Sequence, residues 1–327
     1  MQMTKRERLA AAVAGNETDR APVALWRHFP VDDADAEQLV LSVLAFQQQY
    51  DWDFIKLTPL SNYLVADWGG TVAYHGHPEG TSDYITSPQI TVATDWERLQ
   101  PLNVYAGAMG QQLDCIRRLR ELAGPDIPII ETVFNPLSQV KRLVAKGMEV
   151  VHLRRYPRQL RAALELITTT TIDFVTAALE AGADGIFYAI QHARADLLSV
   201  DEYREYLQPL DLRILEAARH GTFNLLHLHG LNTYFDLVAD YPVHALNWHD
   251  RETGPTLAAG AQRFAGLVVG GLSQEDMVTG NPTSIGQLVQ TALTEMGGRR
   301  VCLSTGCVLP TVAPWGNIRA LRAAVER

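Results

Sequence analysis

Eight times along the chain a short apolar run gives way to a longer stretch with helical periodicity, and that alternation limits the folds open to it. The short runs are residues 22–26, 54–57, 127–133, 185–190, 225–229, 245–248, 267–271 and 301–304. Near-continuous apolar runs of this length read as parallel strands covered on both faces. Helical patterns follow at 36–49, 136–146 with 157–181, 200–219, 232–239, 255–264, 283–296 and 314–326. After the second run the helix is delayed to 105–123, because 71–92 reads as a hairpin excursion with Gly76, Pro78 and Gly80 at its turn. A doubly wound open sheet shares the alternation, but eight strand–helix units favour a (β/α)₈ TIM barrel. The expectation is an α/β chain forming one barrel domain over residues 1–327, with the first strand beside the last. A helix precedes it, opened by a Thr4-x-x-Glu7 capping box and closed by Gly15.

Composition removes several function classes. The chain carries 37 acidic against 28 basic residues, a net charge of −9, the wrong sign for a protein that neutralises phosphates. Nucleic acid is therefore not an expected partner. No apolar run approaches the ~18–20 residues of a membrane span, so no membrane association is expected either. Three cysteines, Cys115, Cys302 and Cys307, are too few for a disulfide framework and point to the reducing cytoplasm. Arg27-His28-Phe29-Pro30 stands after the first strand, where a dinucleotide enzyme would carry a glycine-rich loop.

Barrel chemistry gathers at the C-terminal ends of the strands, and those ends are polar here: Arg27, Lys56, Glu131, Gln191, His227 with His229, His249 with Asp250, and Cys307. His227 and His229 alternate with leucines and so share one face. Two imidazoles and a thiolate make a zinc ligand set with a fourth position open. Cys302, inside the last apolar strand, reads as a small buried hydrophobe. His75-Gly76-His77 repeats the spacing in the hairpin turn and is assigned no function. Glu131 and Asp250 are candidate catalytic acids or bases. For Glu131 a carboxylate at the start of the next helix is the alternative, and for Asp250 a turn with Arg251. Arg27 and Lys56 are candidate clamps for an anionic substrate.

Several segments resemble the uroporphyrinogen decarboxylase superfamily, which includes corrinoid-linked methyltransferases. They are Asp19-Arg20-Ala21-Pro22-Val23, Gly182-Ala183-Asp184-Gly185, Gly270-Gly271-Leu272 with Gly280-Asn281-Pro282-Thr283, and Gly306-Cys307-Val308-Leu309-Pro310 with Asn317-Ile318. The resemblance implies a (β/α)₈ barrel enzyme. Against the tetrapyrrole decarboxylases only Arg27 of two arginines remains after the first strand, and the aspartate segment becomes Phe54-Ile55-Lys56-Leu57. Their tetrapyrrole-contacting segment becomes Tyr188-Ala189-Ile190-Gln191, which makes Tyr188 and Gln191 candidate substrate contacts. The methyltransferase branch carries a zinc-binding His-x-Cys on the fifth strand and a Cys after the last. His227 and Cys307 match, and His229 replaces the first cysteine. With one thiolate the zinc keeps a formal charge of +1 instead of reaching neutrality.

The leading expectation is a zinc-dependent methyltransferase-like enzyme, with zinc at His227, His229 and Cys307, a corrinoid methyl donor and a small thiol acceptor. A metal-independent decarboxylase of an anionic, tetrapyrrole-like substrate is the alternative, and a non-catalytic corrinoid-binding protein is a second. A small-molecule substrate, a corrinoid protein and a second copy in a homodimer are the expected partners.

Overall fold

The computed structural model describes residues 2–82, 84–85 and 87–326. Its first strand, β1 (Ile55–Leu57), is followed by the expected excursion, in which β2 (Val72–Ala73) and β3 (Tyr84–Ile85) pair antiparallel. Gly76 and Gly80, both at φ +79°, serve the turn between them. The remaining strands are β4 (Ile129–Phe134), β5 (Gly185–Ile190), β6 (Leu225–Leu228), β7 (Ala245–Trp248), β8 (Leu267–Leu272) and β9 (Val301–Thr305). β1 and β4 to β9 form one parallel sheet, each strand beside the next in sequence.

Residues 22–26 close the ring. Val23 bridges Leu303 in parallel, and Leu303 N–H donates to Pro22 O at 2.9 Å while Ala24 N–H donates to Leu303 O at 3.1 Å. On the other side Asp53 N–H donates to Val23 O. The segment forms a bridge rather than a ladder, and Pro22 has no N–H to extend one. The first and last strand positions are adjacent, giving a TIM barrel with an extended eighth member.

Residues paired across a parallel ladder share a face. Lys56, Thr132, Phe187, Ala189, His227 and Asn247 therefore face the barrel interior, and Glu131 and Tyr188 face the helices. Trp26, Phe54, Phe187 and Phe223 fill the interior, with ring centroids 5.1–6.2 Å apart along the chain of contacts. At the N-terminal end Asp53, with no exposure, is paired with Arg8 and Arg20 and also accepts from Val23 N–H. A fully buried carboxylate needs such compensation.

The helical layer differs from the sequence expectation at several points, among them an unexpected helix at Gln274–Thr279. The 136–146 segment is only Pro136–Val140, with a separate helix at Met148–Arg155. The 200–219 segment breaks into Val200–Tyr206 and Gln208–Ala217, where Pro209 cannot continue the helical hydrogen bonding. Pro157–Glu180 is long and apolar enough by length and composition to cross a membrane, contrary to the expectation that no run would be. Its Leu160, Leu164, Ile167 and Phe174 are buried in the barrel's outer layer, and Thr168 and Thr171 return their hydroxyls to the carbonyls four residues back. That pairing lets polar residues sit in an apolar stripe.

Candidate metal centre at the barrel mouth

His227 projects from the interior face of β6, and His229 follows two residues later as the strand exits. Cys307 arrives from β9 through Gly306. A Cβ at Gly306 would stand 2.7 Å from His249 Cα and 2.9 Å from Trp248 O, so only glycine lets the last exit pass this close to that of β7. The Cys307 Sγ lies 3.6 Å from His227 Nε2 and 3.6 Å from His229 Nδ1. His249 completes the group: one donor atom from each of His227, His229, His249 and Cys307 falls within 4.8 Å of all the others.

Bond lengths of 2.0–2.3 Å place neighbouring ligand atoms of a tetrahedral zinc roughly 3.4–3.8 Å apart. The two measured separations match that edge. His249 Nε2 is buried with no hydrogen-bond partner among the described residues. Burial lowers the pKa of this ring, but Cys307 and Glu252 outweigh it and raise the value to about 10, so the imidazole must lose a proton before it can bind a metal. Its Nδ1 lies 3.5 Å from Glu252 Oε2. Burial lowers the pKa of His227 well below its ordinary value and that of His229 to about 3, with neighbouring cationic groups adding to the effect. Both imidazoles are neutral and carry lone pairs.

His227, His229 and Cys307 line a cavity of about 70 Å³ that also touches Trp26, Lys56, Phe187 and Gln191, while His249 stands behind that lining. Phe187 stacks on His227 with centroids 5.4 Å apart, and Lys56 Nζ sits 4.6 Å from the centre of the same ring. Lys56 is buried, donates to Thr58 Oγ1 at 3.1 Å, and forms no ion pair among the described residues. Burial holds its ammonium down to about 7, against the pull of Cys307 and Glu131. Gln191 Oε1 accepts from Lys141 Nζ at 3.3 Å. The hairpin contributes Glu79, whose carboxylate accepts from Gln274.

Of the nine candidates from the sequence, Lys56, Gln191, His227, His229 and Cys307 line this cavity. The other four stand outside it. Arg27 lies against the Phe29 ring, beside the helix Ala36–Tyr50. Glu131 accepts from Gln112 on the helix Gly107–Ala123. Tyr188 donates to Asp211 Oδ1 at 2.7 Å, and Tyr203 and Tyr241 donate to Oδ2 of the same carboxylate. Asp250 accepts from Gly271 N–H behind β8. His249, which the sequence marked only as polar, is the donor the ligand set lacked. Strand alternation is its signal, since 247 and 249 share the interior face.

A closed (β/α)₈ barrel with polar side chains converging at the C-terminal mouth is the layout of a TIM-barrel enzyme. Residues 64–327 match the family described as Uroporphyrinogen decarboxylase (URO-D), and the chain belongs to that enzyme family. A methylcobamide:CoM methyltransferase, MtaA of Methanosarcina barkeri, is 28% identical over 216 residues, 65% of this chain and 62% of that protein. The chain thus aligns with under two thirds of that relative's length. MtbA of Methanosarcina acetivorans, of the same description, is 21% identical over 98% of this chain and 97% of its own. A methyltransferase structure from Methanosarcina mazei superposes with TM-score 0.84 at 22% identity, covering 99% of both chains. A B12-independent methionine synthase from Shewanella sp. W3-18-1 gives 0.58 at 14% identity, covering 97% of each.

Proposed function

We propose that this chain is a single-barrel, zinc-dependent methyltransferase that moves a methyl group from a corrinoid donor at the barrel mouth to a small anionic thiol. The convergence of His227, His229, His249 and Cys307, whose donor atoms lie within 4.8 Å of one another beside the cavity that three of them line, carries the proposal. Bound there, zinc would supply Lewis acidity that favours the thiolate form of the acceptor. His227, His229 and Cys307 would hold the metal, with His249 as a further candidate donor. With a single thiolate among its ligands the centre would carry +1, and Lys56, buried and in no ion pair among the described residues, adds positive charge nearby when protonated. Such a pocket favours an acceptor with its own negative charge. Phe187 walls the site, and Gln191, fixed by Lys141, offers an amide to the acceptor's polar end.

The relatives support the transfer chemistry, since two of them are named for methyl transfer from methylcobamide to coenzyme M. The cavity supports a small acceptor. About 70 Å³ cannot enclose a tetrapyrrole, so a corrinoid, free or carried by a protein, sits over the mouth. A metal-independent decarboxylase has less support here, because Arg27 and Glu131 face the helices. Three free cysteines, one of them at the site, suit a reducing compartment such as the cytoplasm.

Metal content is the test. Protein purified without added zinc should carry about one equivalent, and Cys307→Ala should lose most of it. Cys302→Ala should keep it, because Cys302 lies with no exposure inside β9. Equal losses from both variants, or metal-free wild-type protein that does not take up zinc, would defeat the proposal.

A further inference from the structure

We propose that Asn247 is a positioning residue that fixes the tautomer of His227, placing the proton on Nδ1 and the Nε2 lone pair toward Cys307. Its consequence for metal affinity rests on the function proposed above; the tautomer does not.

Asn247 lies on β7, fully buried, on the interior face one strand from His227. Its Nδ2 donates to Val269 O at 2.8 Å and to Thr305 O at 3.1 Å. Both partners are carbonyl oxygens, which only accept, so the two amide protons are committed. The amide cannot be turned over without setting Oδ1 against two carbonyls and losing both bonds. Oδ1 is therefore the atom 2.6 Å from His227 Nδ1. An oxygen that only accepts requires a donor opposite it, so the proton of the neutral ring sits on Nδ1. The other nitrogen, Nε2, then faces Cys307 Sγ at 3.6 Å with its lone pair toward the sulfur.

The same side chain ties four strands at one level. It stands on β7, accepts from β6, and donates to β8 and to the last residue of β9, two residues before Cys307. Thr305 Oγ1 in turn donates to Cys307 O. Asn247 thus orients one donor of the candidate centre and restrains the strand that delivers another. Partners of this kind govern the affinity of the ligands they hold, and losing one costs 10–100-fold in metal binding.

The test reads the tautomer in metal-free protein by two-bond ¹H–¹⁵N correlation of labelled histidines at about pH 8, where an ordinary imidazole is neutral. His227 is assigned by the loss of its signals in His227→Gln. Wild-type protein should show Nδ1–H at His227. Asn247→Leu should release the ring to the Nε2–H form and weaken zinc binding about 10–100-fold in chelator competition. Asn247→Asp keeps an acceptor opposite Nδ1 and should keep Nδ1–H, at a cost in stability because its second oxygen faces the Val269 and Thr305 carbonyls. Wild-type protein with Nε2–H at His227, or Asn247→Leu with Nδ1–H retained, would overturn the inference. If Asn247→Leu does not fold, the wild-type spectrum decides alone. Wild-type protein with Nδ1–H that binds no zinc would refute the metal proposal and uphold the tautomer.

Discussion

Replacing Glu131 with glutamine should leave the protein unchanged near pH 5 and stabilise it in mild alkali. The carboxyl is buried between β4 and the helix Gly107–Ala123, with Gln112 Nε2 donating to Oε2 at 2.9 Å and Oε1 without a hydrogen-bond partner among the described residues. Burial raises its pKa from 4.5 to about 8, against the opposing pulls of Gln112 and Lys56. At neutral pH the group is thus mostly protonated in the folded protein and ionised in the unfolded chain. Because the folded value is the higher one, its contribution to stability is complete below pH 4.5 and is lost as pH rises through 8. At 1.36 kcal/mol per pH unit the gap amounts to roughly 5 kcal/mol. Glutamine has the shape of the protonated acid and cannot ionise, so Glu131→Gln escapes that loss. Urea unfolding of both proteins at about pH 5, 7 and 8.5 measures the difference. The two stabilities should agree at the lowest pH and diverge by several kcal/mol at the highest, with zinc content the same. Stability curves that run parallel across the range would show that Glu131 is ionised in the fold, and the account of its environment would be wrong.

Two further substitutions separate the cavity from the layer behind it. Lys56→Met should weaken binding of a small anionic thiol such as mercaptoacetate by about tenfold or more, the value of a charge-assisted contact. Neutral mercaptoethanol and zinc should bind unchanged, and titration calorimetry on both thiols checks this; equal losses for the two would refute an anion contact. The folded pKa of Lys56, about 7, lies below its ordinary 10.5, so its contribution to stability is lost as pH falls from 10.5 to about 7. The methionine variant should therefore gain stability over wild type as pH falls from about 10 to 7, with little further gain below that. Tyr188→Phe removes a 2.7 Å hydrogen bond to the buried Asp211 and should cost about 1–3 kcal/mol without altering zinc or thiol binding. A loss of binding with unchanged stability would return Tyr188 to the site.

Strand alternation separates what was legible in the sequence from what was not. The βα recurrence reports the barrel because each strand must be apolar on both faces, and the first strand was readable even though Pro22 reduces it to a bridge. Reading the strand ends as polar gathers the right neighbourhood but does not choose a face. A residue three positions from an interior one points the other way, and Tyr188 stands three before Gln191. The same parity puts Asn247 and His249 inside and Asp250 outside. What parity cannot supply is depth and approach. Glu131 has the position of a strand-end acid, and only the packing of Gln112 and the Tyr63 segment shows it sealed behind β4. The meeting of His249 with Cys307 depends on Gly306 passing Trp248 O, a contact between strands 58 residues apart in number that no local pattern encodes. Asn247 follows from the same geometry. An amide inside a barrel is costly unless every donor and acceptor is matched, and here the acceptors are main-chain carbonyls of two strands that exist at that height only once the sheet has closed. Its one remaining oxygen then has a single use, to hold the His227 ring.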